Sequence, residues 1–330
     1  MIHNIGEITI AGKNVTGDVS PELSKISYTD KIEAASDDVT LTFVDKDALW
    51  QKPWYPQQGD TLQVKIGKPG DLLDCGLFEI DEIGFSGPPD TFNIKAIGAA
   101  ITKELRTKNS KAFEKQSLRD IAQFFADKHG LTLTGNTSAL QKIEIERKTQ
   151  DDQTDIAFLA ALAAEYGIIF SIRGTQLVFI DMDTMEAQPA IMTIDKSDIA
   201  KFDFMDKTSQ IFAGATVASR NTRTNSVRKW SIQQSVNPEL KDTLSIHNYR
   251  VEDETQAQAV AKGSLKNRNK DKITGRFSVQ GNVKLVAGIN IELTGLGEFS
   301  GKWLVVSSTH NIDVNSGHVT DVNVRKIMQG

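Results

Sequence analysis

Through the first hundred residues, apolar side chains recur at every second position in short runs closed by turn residues. Only extended strands place such a pattern on one face. In "VTLTFVD" Val39, Leu41 and Phe43 share one face and Thr40 and Thr42 the other; in "TLQVKIG" Leu62, Val64 and Ile66 alternate with Thr61, Gln63 and Lys65. "LFEIDEIGF" keeps Phe78 and Ile80 on one parity, then switches to Ile83 and Phe85. A switch inside a strand predicts a bulge near Asp81–Glu82, a device that curls a sheet toward a barrel. "SGPPD" predicts a turn before the strand "TFNIKAIGA". Antiparallel strands joined by such turns build a small barrel or sandwich.

The pattern then changes period. "SLRDIAQFFADKHG" has Ser117 as a helix cap, Leu118, Ile121, Phe124 and Phe125 at helical spacing, and Gly130 as the stop. "LTLTG" follows as a strand. "DDQTDIAFLAALAAEYG" repeats the helix, ending at Gly167, and "IIFSIRGTQLVFID" reads as a hairpin turning at Arg173–Gly174. Two helix–strand units are too few for a repeat array. Strands return in "IFAGATVASRN", "RKWSIQQSV", "NVKLVAGINIEL", "GKWLVVSSTHNID" and "HVTDVNVRKI". In "NVKLVAGINIEL" Val283, Leu285, Ile289, Ile291 and Leu293 share one parity. One helix, "DETQAQAVAKGSLKNRNKD", interrupts, with acids first and bases last as the helix dipole favours. The expected fold is a β-rich α+β protein with two small β-barrel domains and an intervening α+β domain. Residues 1–100 form the first barrel, 101–200 the middle domain, and 201–330 the second barrel, with a helix inserted near 253–271.

At 330 residues the chain is too long for one small core. Its 38 Lys+Arg against 43 Asp+Glu give a net charge of −5, which argues against a generally basic, phosphate-neutralising surface. No apolar run has the length of a membrane span, and the N-terminus lacks the charged-then-apolar pattern of a secretory signal. The single Cys75 excludes an internal disulfide framework and any multi-cysteine metal site, and reads as a buried, inert thiol.

Several stretches invite a chemical reading. Asp30, Glu33, Asp37, Asp38, Asp45 and Asp47 crowd into "SYTDKIEAASDDVTLTFVDKDALW". Paired carboxyls serve glycoside hydrolysis when about 5–10 Å apart, but these lie at strand ends and turns, where Asp bonds its own backbone or faces water. "DKDAL" and "DMDTME" open like calcium loops yet lack the position-five oxygen ligand and the following glycine. Gly295, Gly297 and Gly301 in "GLGEFSG" join two strands rather than a strand to a helix, so they read as a β-turn. Ser86 in "GFSGP" fails the nucleophile-elbow pattern because Pro88 stands at its last position. His3, His129, His247, His310 and His318 show no metal spacing; His129 is read as complementing a helix dipole, and His310 and His318 as facing each other across a hairpin. Lys262, Lys266, Arg268, Lys270, Lys272 and Arg276, like the stretch "SRNTRTNSVRK", lack the interleaved aromatics of a single-strand binder and read as a solvated face or protein interface. Trp50, Trp54, Trp230 and Trp303 form no obvious platform. No catalytic, cofactor-binding or metal-ligating residue is assigned.

The order and wording of "ISYTDKIEAASDDVTLTFVDKDALW", "PWYPQQGDTLQVKIG", "CGLFEIDEIGFSGPPDTFNIKAIGAA", "LRTKNSKAFEKQSLRDIAQFFADKHGL" and "GNVKLVAGINIEL…GKWLVVSSTHNI" resemble the phage late control protein D family. Its members are baseplate hubs of contractile-tailed phages, related to the hub region of type VI secretion spike proteins. The resemblance spans nearly the whole chain and is specific by extent and order. It implies a structural, non-enzymatic homotrimer in which two similar barrels per chain make a six-membered ring. Such a ring docks on a hexameric tail tube or tube initiator, carries a trimeric spike, contacts baseplate wedge proteins, and passes DNA and the tape measure protein. It implies a virion tail baseplate location after assembly in the host bacterial cytoplasm, with no membrane partner, no cofactor and no lytic domain of its own. From a different class, the acids leave a cell-wall glycan hydrolase open, and the tryptophans a carbohydrate-binding tip protein.

Overall fold

The computed structural model describes residues 5–33, 36–99, 104–209, 211–221, 226–233, 242–246 and 254–327. The chain begins with β1 (Ile5–Ile10), the short β2 (Lys13–Asn14) and α1 (Thr16–Val19), then β3 (Leu23–Lys31), β4 (Asp38–Val44), β5 (Thr61–Lys68), β6 (Asp71–Ser86) and β7 (Thr91–Gly98). The period-two reading holds in detail. Val39, Leu41, Phe43, Leu62, Val64 and Ile66 are all fully buried in one core with Phe78, Ile80 and Phe92. The parity switch is a bulge: Ile80 pairs with Ala96 and Glu82 with Lys95, leaving Asp81 unpaired. Trp50 closes one end of this core, stacked on Phe43 at 4.0 Å and on Phe92 at 5.4 Å, with Trp54 edge-on at 5.6 Å.

The middle of the chain is β8 (Lys108–Ser117), α2 (Leu118–Lys128), β9 (Thr132–Gly135), α3 (Thr137–Gln141), β10 (Glu144–Thr154), α4 (Asp155–Glu165), β11 (Ile168–Arg173), β12 (Gln176–Asp181) and α5 (Met182–Ala187). Ser117 caps α2 in a reciprocal box with Asp120, and Gly130, at φ +65°, ends it. Thr154 caps α4, its hydroxyl accepting from the Ala157 N–H at 3.2 Å. The hairpin turns at Gly174–Thr175, one residue beyond the expected place, because Arg173 still pairs with Gln176. There follow β13 (Ala190–Asp195), β14 (Ile199–Asp206), β15 (Gly214–Asn221), β16 (Ser226–Gln233), β17 (Thr243–Ile246), α6 (Glu254–Asn269), β18 (Ile273–Gln280), β19 (Asn290–Thr294), β20 (Gly301–Asp313) and β21 (Gly317–Lys326). "IFAGATVASRN" and "RKWSIQQSV" do pair, as β15 and β16. Ala215, Val217, Ala257, Val260 and Leu265 from this stretch share one apolar core with Phe125, Phe158, Leu162 and Phe179. Gly263 lets α6 approach closely: a Cβ there would lie 2.4 Å from the Tyr166 carbonyl carbon.

"NVKLVAGINIEL" is not one strand. Only Asn290–Thr294 is extended; before it the Asn282 side chain accepts from the Lys284 N–H at 3.0 Å and Gly288 takes φ +91°, so the backbone turns while Leu285 stays buried.

Among the described residues thirteen strands make one sheet, whose main path runs β14-β18-β21-β20-β3-β4-β7-β6-β5-β1-β2 with β19 and β13 branching from β20. Two halves of this sheet share one plan. In chain order β1, β3, β4, β5, β6 and β7 connect in space as β3-β4-β7-β6-β5-β1; β13, β14, β18, β19, β20 and β21 connect as β14-β18-β21-β20-β19-β13. Their registers superpose. Leu41 pairs with Ile94 as Phe277 pairs with Val322, and the β3 irregularity between Leu23 and Lys25 recurs in β14 between Ile199 and Lys201. The β6 bulge at Asp81 recurs in β20 at Val306. Only the last strand breaks the plan: β1 runs antiparallel to β5, β13 parallel to β19.

Candidate functional site

The two halves are fused along a single seam. β20 runs antiparallel to β3 from Ser307 opposite Lys31 to Asp313 opposite Lys25. Its first part, Gly301–Leu304, pairs with β19, and after the bulge its second part changes neighbour to β3. Across the seam Tyr28 stacks on His310 at 6.1 Å, the hydroxyls of Thr29 and Thr309 lie 3.3 Å apart, and Ser27 donates to Asn311 Oδ1 at 3.1 Å. Ile26 and Ile312 are fully buried there.

The acid cluster lies at and beside this seam; the expectation that its members bond nearby backbone or face water holds for Asp37, Asp45 and Asp47 and is corrected for Asp30. Asp30 is only 3% exposed. One of its oxygens accepts from the Ala287 N–H at 2.7 Å and the other from Arg173 Nη2 at 3.2 Å. Asp37 accepts from the Lys31 N–H at 3.1 Å. Burial first, then the neighbouring Asp30 carboxylate, push the Asp37 pKa up to about 7, with Arg173 pulling the other way. Asp45 is also buried, accepting from Trp50 N–H at 3.2 Å and Gln51 Nε2 at 3.1 Å. A carboxylate tucked under a tight turn finds N–H donors that replace water, which sequence position alone does not reveal. Asp38 pairs with Lys31 at 2.8 Å, and Asp47 is exposed as expected.

A second charged group ties the sheet to the helices. Arg325, 2% exposed on β21, sits 3.2 Å from Glu186 and 3.6 Å from Glu33. Lys266 pairs with Asp183 and lies 3.5 Å from Glu186, and Lys270 pairs with Glu33. Lys266 and Lys270 are therefore partners inside the fold, correcting their reading as a solvated face; Arg276 bonds Asp203 at the surface at 2.9 Å. Ile32, Ile169, Met182, Met185, Ala287 and Leu304 fill the space beside these ions.

His310 and His318 do meet, Nδ1 to Nε2 at 3.3 Å, and His310 Nε2 donates to the Leu285 carbonyl at 3.1 Å. Burial, followed by the second imidazole, pushes His310 down to about 4, so the pair is neutral and structural. His129 contacts Asp155 at 2.8 Å rather than merely ending its helix. Burial pushes Asp155 up, but bonds from Gln150, Lys128 and His129 outweigh it and hold its pKa low. Burial raises the pKa of Cys75 far above that of a reactive thiol. Gly295, Gly297 and Gly301, at φ +74°, +60° and +120°, shape the β19–β20 connection, and Asp181 caps α5 by accepting from the Thr184 N–H at 2.9 Å. Ser86 ends β6. Trp303 is buried and donates to the Phe299 carbonyl at 2.9 Å, while Trp230 packs against the helical core. His3 and His247 lie outside the described residues. Among the described residues no three His, Cys, Asp or Glu converge as metal ligands, and no helix is long and apolar enough to cross a membrane.

Arg173, Glu186 and Arg325 were not singled out from sequence. Arg173 read only as part of a hairpin turn, and its partner Asp30 lies 143 positions away.

The chain thus carries one sheet plan twice, fused along a strand edge, with the buried Asp30 and Arg325 paired to distant segments. Solved structures with this fold include phage tail proteins and a type VI secretion component. The 43 kDa tail protein of prophage MuSo2 from Shewanella oneidensis matches with a TM-score of 0.74 at 18% identity, over 97% of each chain. A tail protein from Neisseria meningitidis matches at 0.71 and 11% identity, over 98% of this chain and 97% of that one. A component of the type VI secretion system of E. coli matches at 0.60 and 9% identity, over 93% and 74%. The family model "Phage tail baseplate hub (GPD)" matches residues 100–316, and the chain belongs to that family. It is similar to the probable baseplate hub protein of Escherichia phage 186, 24% identical over 246 residues, 73% of this chain and 62% of that protein. The counterpart in Escherichia phage P2 is 27% identical over 174 residues, 52% and 44%. The chain thus spans between about two fifths and three fifths of the length of these curated relatives.

Proposed function

We propose that this chain is the structural hub of a contractile tail, assembling as a homotrimer whose six sheet units close into a pseudo-six-fold ring of small barrels. The ring meets a six-fold tail tube on one face and a trimeric spike on the other, with wedge proteins around it and a channel for DNA and the tape measure protein. Its site of action is the virion baseplate, after assembly in the host cytoplasm. The observation that carries this reading is the repeated sheet plan within one chain. A trimer presents six similar contacts only if each subunit carries the contacting unit twice. Family membership and the mildly acidic balance of −5 support it, since a conduit for DNA works best when it does not hold phosphates. The role is mechanical, without catalysis or cofactor.

Light scattering at increasing concentration, alone and with the cognate spike, tests the reading. A mass three times 36.3 kDa is expected. A strict monomer under both conditions overturns it.

A further inference from the structure

The second sheet unit carries a polar set that the first does without. Matching the bulge at Val306 to the bulge at Asp81 sets the cross-strand pair His310–Thr320 of β20 and β21 on the pair Phe85–Phe92 of β6 and β7. The plan therefore folds with two phenylalanines at this place, and the second unit has an imidazole and a hydroxyl there instead. His318, two residues before Thr320 on the same face of β21, adds a second imidazole. Burying polar side chains where an apolar pair serves is costly, and a bound ligand offsets that cost.

The set is arranged as metal-binding residues are. His310 Nε2 lies 3.1 Å from the Leu285 carbonyl oxygen, which only accepts, so Nε2 carries the proton and Nδ1 a bare lone pair. That lone pair faces His318 Nε2 and Thr320 Oγ1, each at 3.3 Å. Two donors compete for one lone pair, and both contacts are long for hydrogen bonds. Two nitrogens bound to one tetrahedral zinc at about 2.0–2.1 Å are themselves about 3.3 Å apart, which is the separation of the two imidazoles. A metal-ligating histidine almost always donates its other N–H to a carbonyl or carboxylate, as His310 does to Leu285. Thr320 Oγ1 is positioned by the Asn282 N–H at 3.0 Å. The His318 ring lies against Gly281, where a Cβ would stand 2.0 Å from its Cγ. His310 is fully buried, whereas His318 is half-buried and gives an ion and its water a way in. Burial holds both imidazoles below their ordinary pKa, in the neutral form that binds metal.

We propose that His310 Nδ1 and His318 Nε2, with the Thr320 hydroxyl beside them, hold a zinc ion whose remaining positions are taken by water. Imidazole nitrogens suit zinc and its late first-row neighbours; calcium and magnesium want a shell of oxygens. No third His, Cys, Asp or Glu joins the pair among the described residues, so the site is an open one. The ion clamps the β20–β21 hairpin to residues 281–285 through His310 and the Leu285 carbonyl. It adds no chemistry, leaves the mechanical role unchanged, and does not depend on the ring.

The test titrates the full, untagged chain with zinc chloride alone in a calorimeter. One equivalent should bind, and the thermal midpoint should rise with zinc and not with magnesium. His318→Asn should weaken binding roughly tenfold or more with circular dichroism unchanged. The double variant His3→Asn with His247→Asn should bind as the parent does. If His318→Asn does not fold, protection in the parent chain decides: zinc should shield His318 from diethyl pyrocarbonate, read by peptide mass spectrometry. No zinc heat in the parent, equal binding by His318→Asn, loss of binding in the double variant, or equal modification of His318 with and without zinc each overturns the site.

Discussion

Two strands with one plan, β3 and β14, have opposite fates. β3 lies inside the sheet, and its Ile26 is fully buried; β14 is the last strand, and Phe202 at the same place is half exposed although phenylalanine is the larger apolar residue. What differs is the neighbour. Burial on a sheet is set by the strand alongside as much as by the side chain, so an edge residue can look like a core residue in sequence and still face water.

The largest effect that would break this comparison is a charge at each position. Ile26→Asp should lower stability by about 4 kcal/mol or prevent folding, because an unpaired carboxylate would enter the seam core. Phe202→Asp should cost the unassembled chain about 1 kcal/mol or less. Urea denaturation of both variants decides it; equal losses would mean that the two strands are not differently buried in solution.

Next is the ionic tie in the second unit, where Arg325 occupies the position that Ile97 holds in the first. Among the described residues, Arg325→Met leaves Glu33 and Glu186 with only Lys270 and Lys266 to answer them. A loss of about 3 kcal/mol is expected, since breaking a buried pair strands the remaining charge. A loss below about 1 kcal/mol would show the lysines already suffice.

The smallest effect is the pH response, which should run in opposite directions on the two sides of the seam. Asp37 holds its proton up to about pH 7 in the folded chain, and only to about 4 when unfolded. Its contribution is full at low pH and is lost as pH rises through 7. His310 titrates near 4 when folded against about 6.5 unfolded, so its contribution is lost as pH falls from about 6.5 toward 4. Asp37→Asn should therefore gain on the parent chain by up to about 2.5 kcal/mol between pH 5 and pH 8. Denaturation midpoints that stay parallel across that range would remove Asp37 from the account.

Much of the local structure was legible. The strands carrying Val39, Leu41 and Phe43, the bulge at Asp81, the Ser117 cap and the meeting of His310 with His318 all follow from patterns a few residues long. Asp30 misled, because it was judged by its place at a strand end, whereas Arg173 and the Ala287 N–H take it out of water. "NVKLVAGINIEL" misled for the opposite reason: parity alone suggested a strand where Asn282 and Gly288 favour turns.

By itself the sequence determined the β-rich character, the capped helices, the family and the inward faces of the strands, because periodicity, caps and turn residues act over one or two turns of chain. Tertiary structure alone decided that β20 lies beside β3, that Arg325 reaches Glu186, and that β14 and the end of β6 have an open edge among the described residues. Those contacts join segments more than a hundred residues apart, and strand addition is written in backbone hydrogen bonds, which every sequence carries alike.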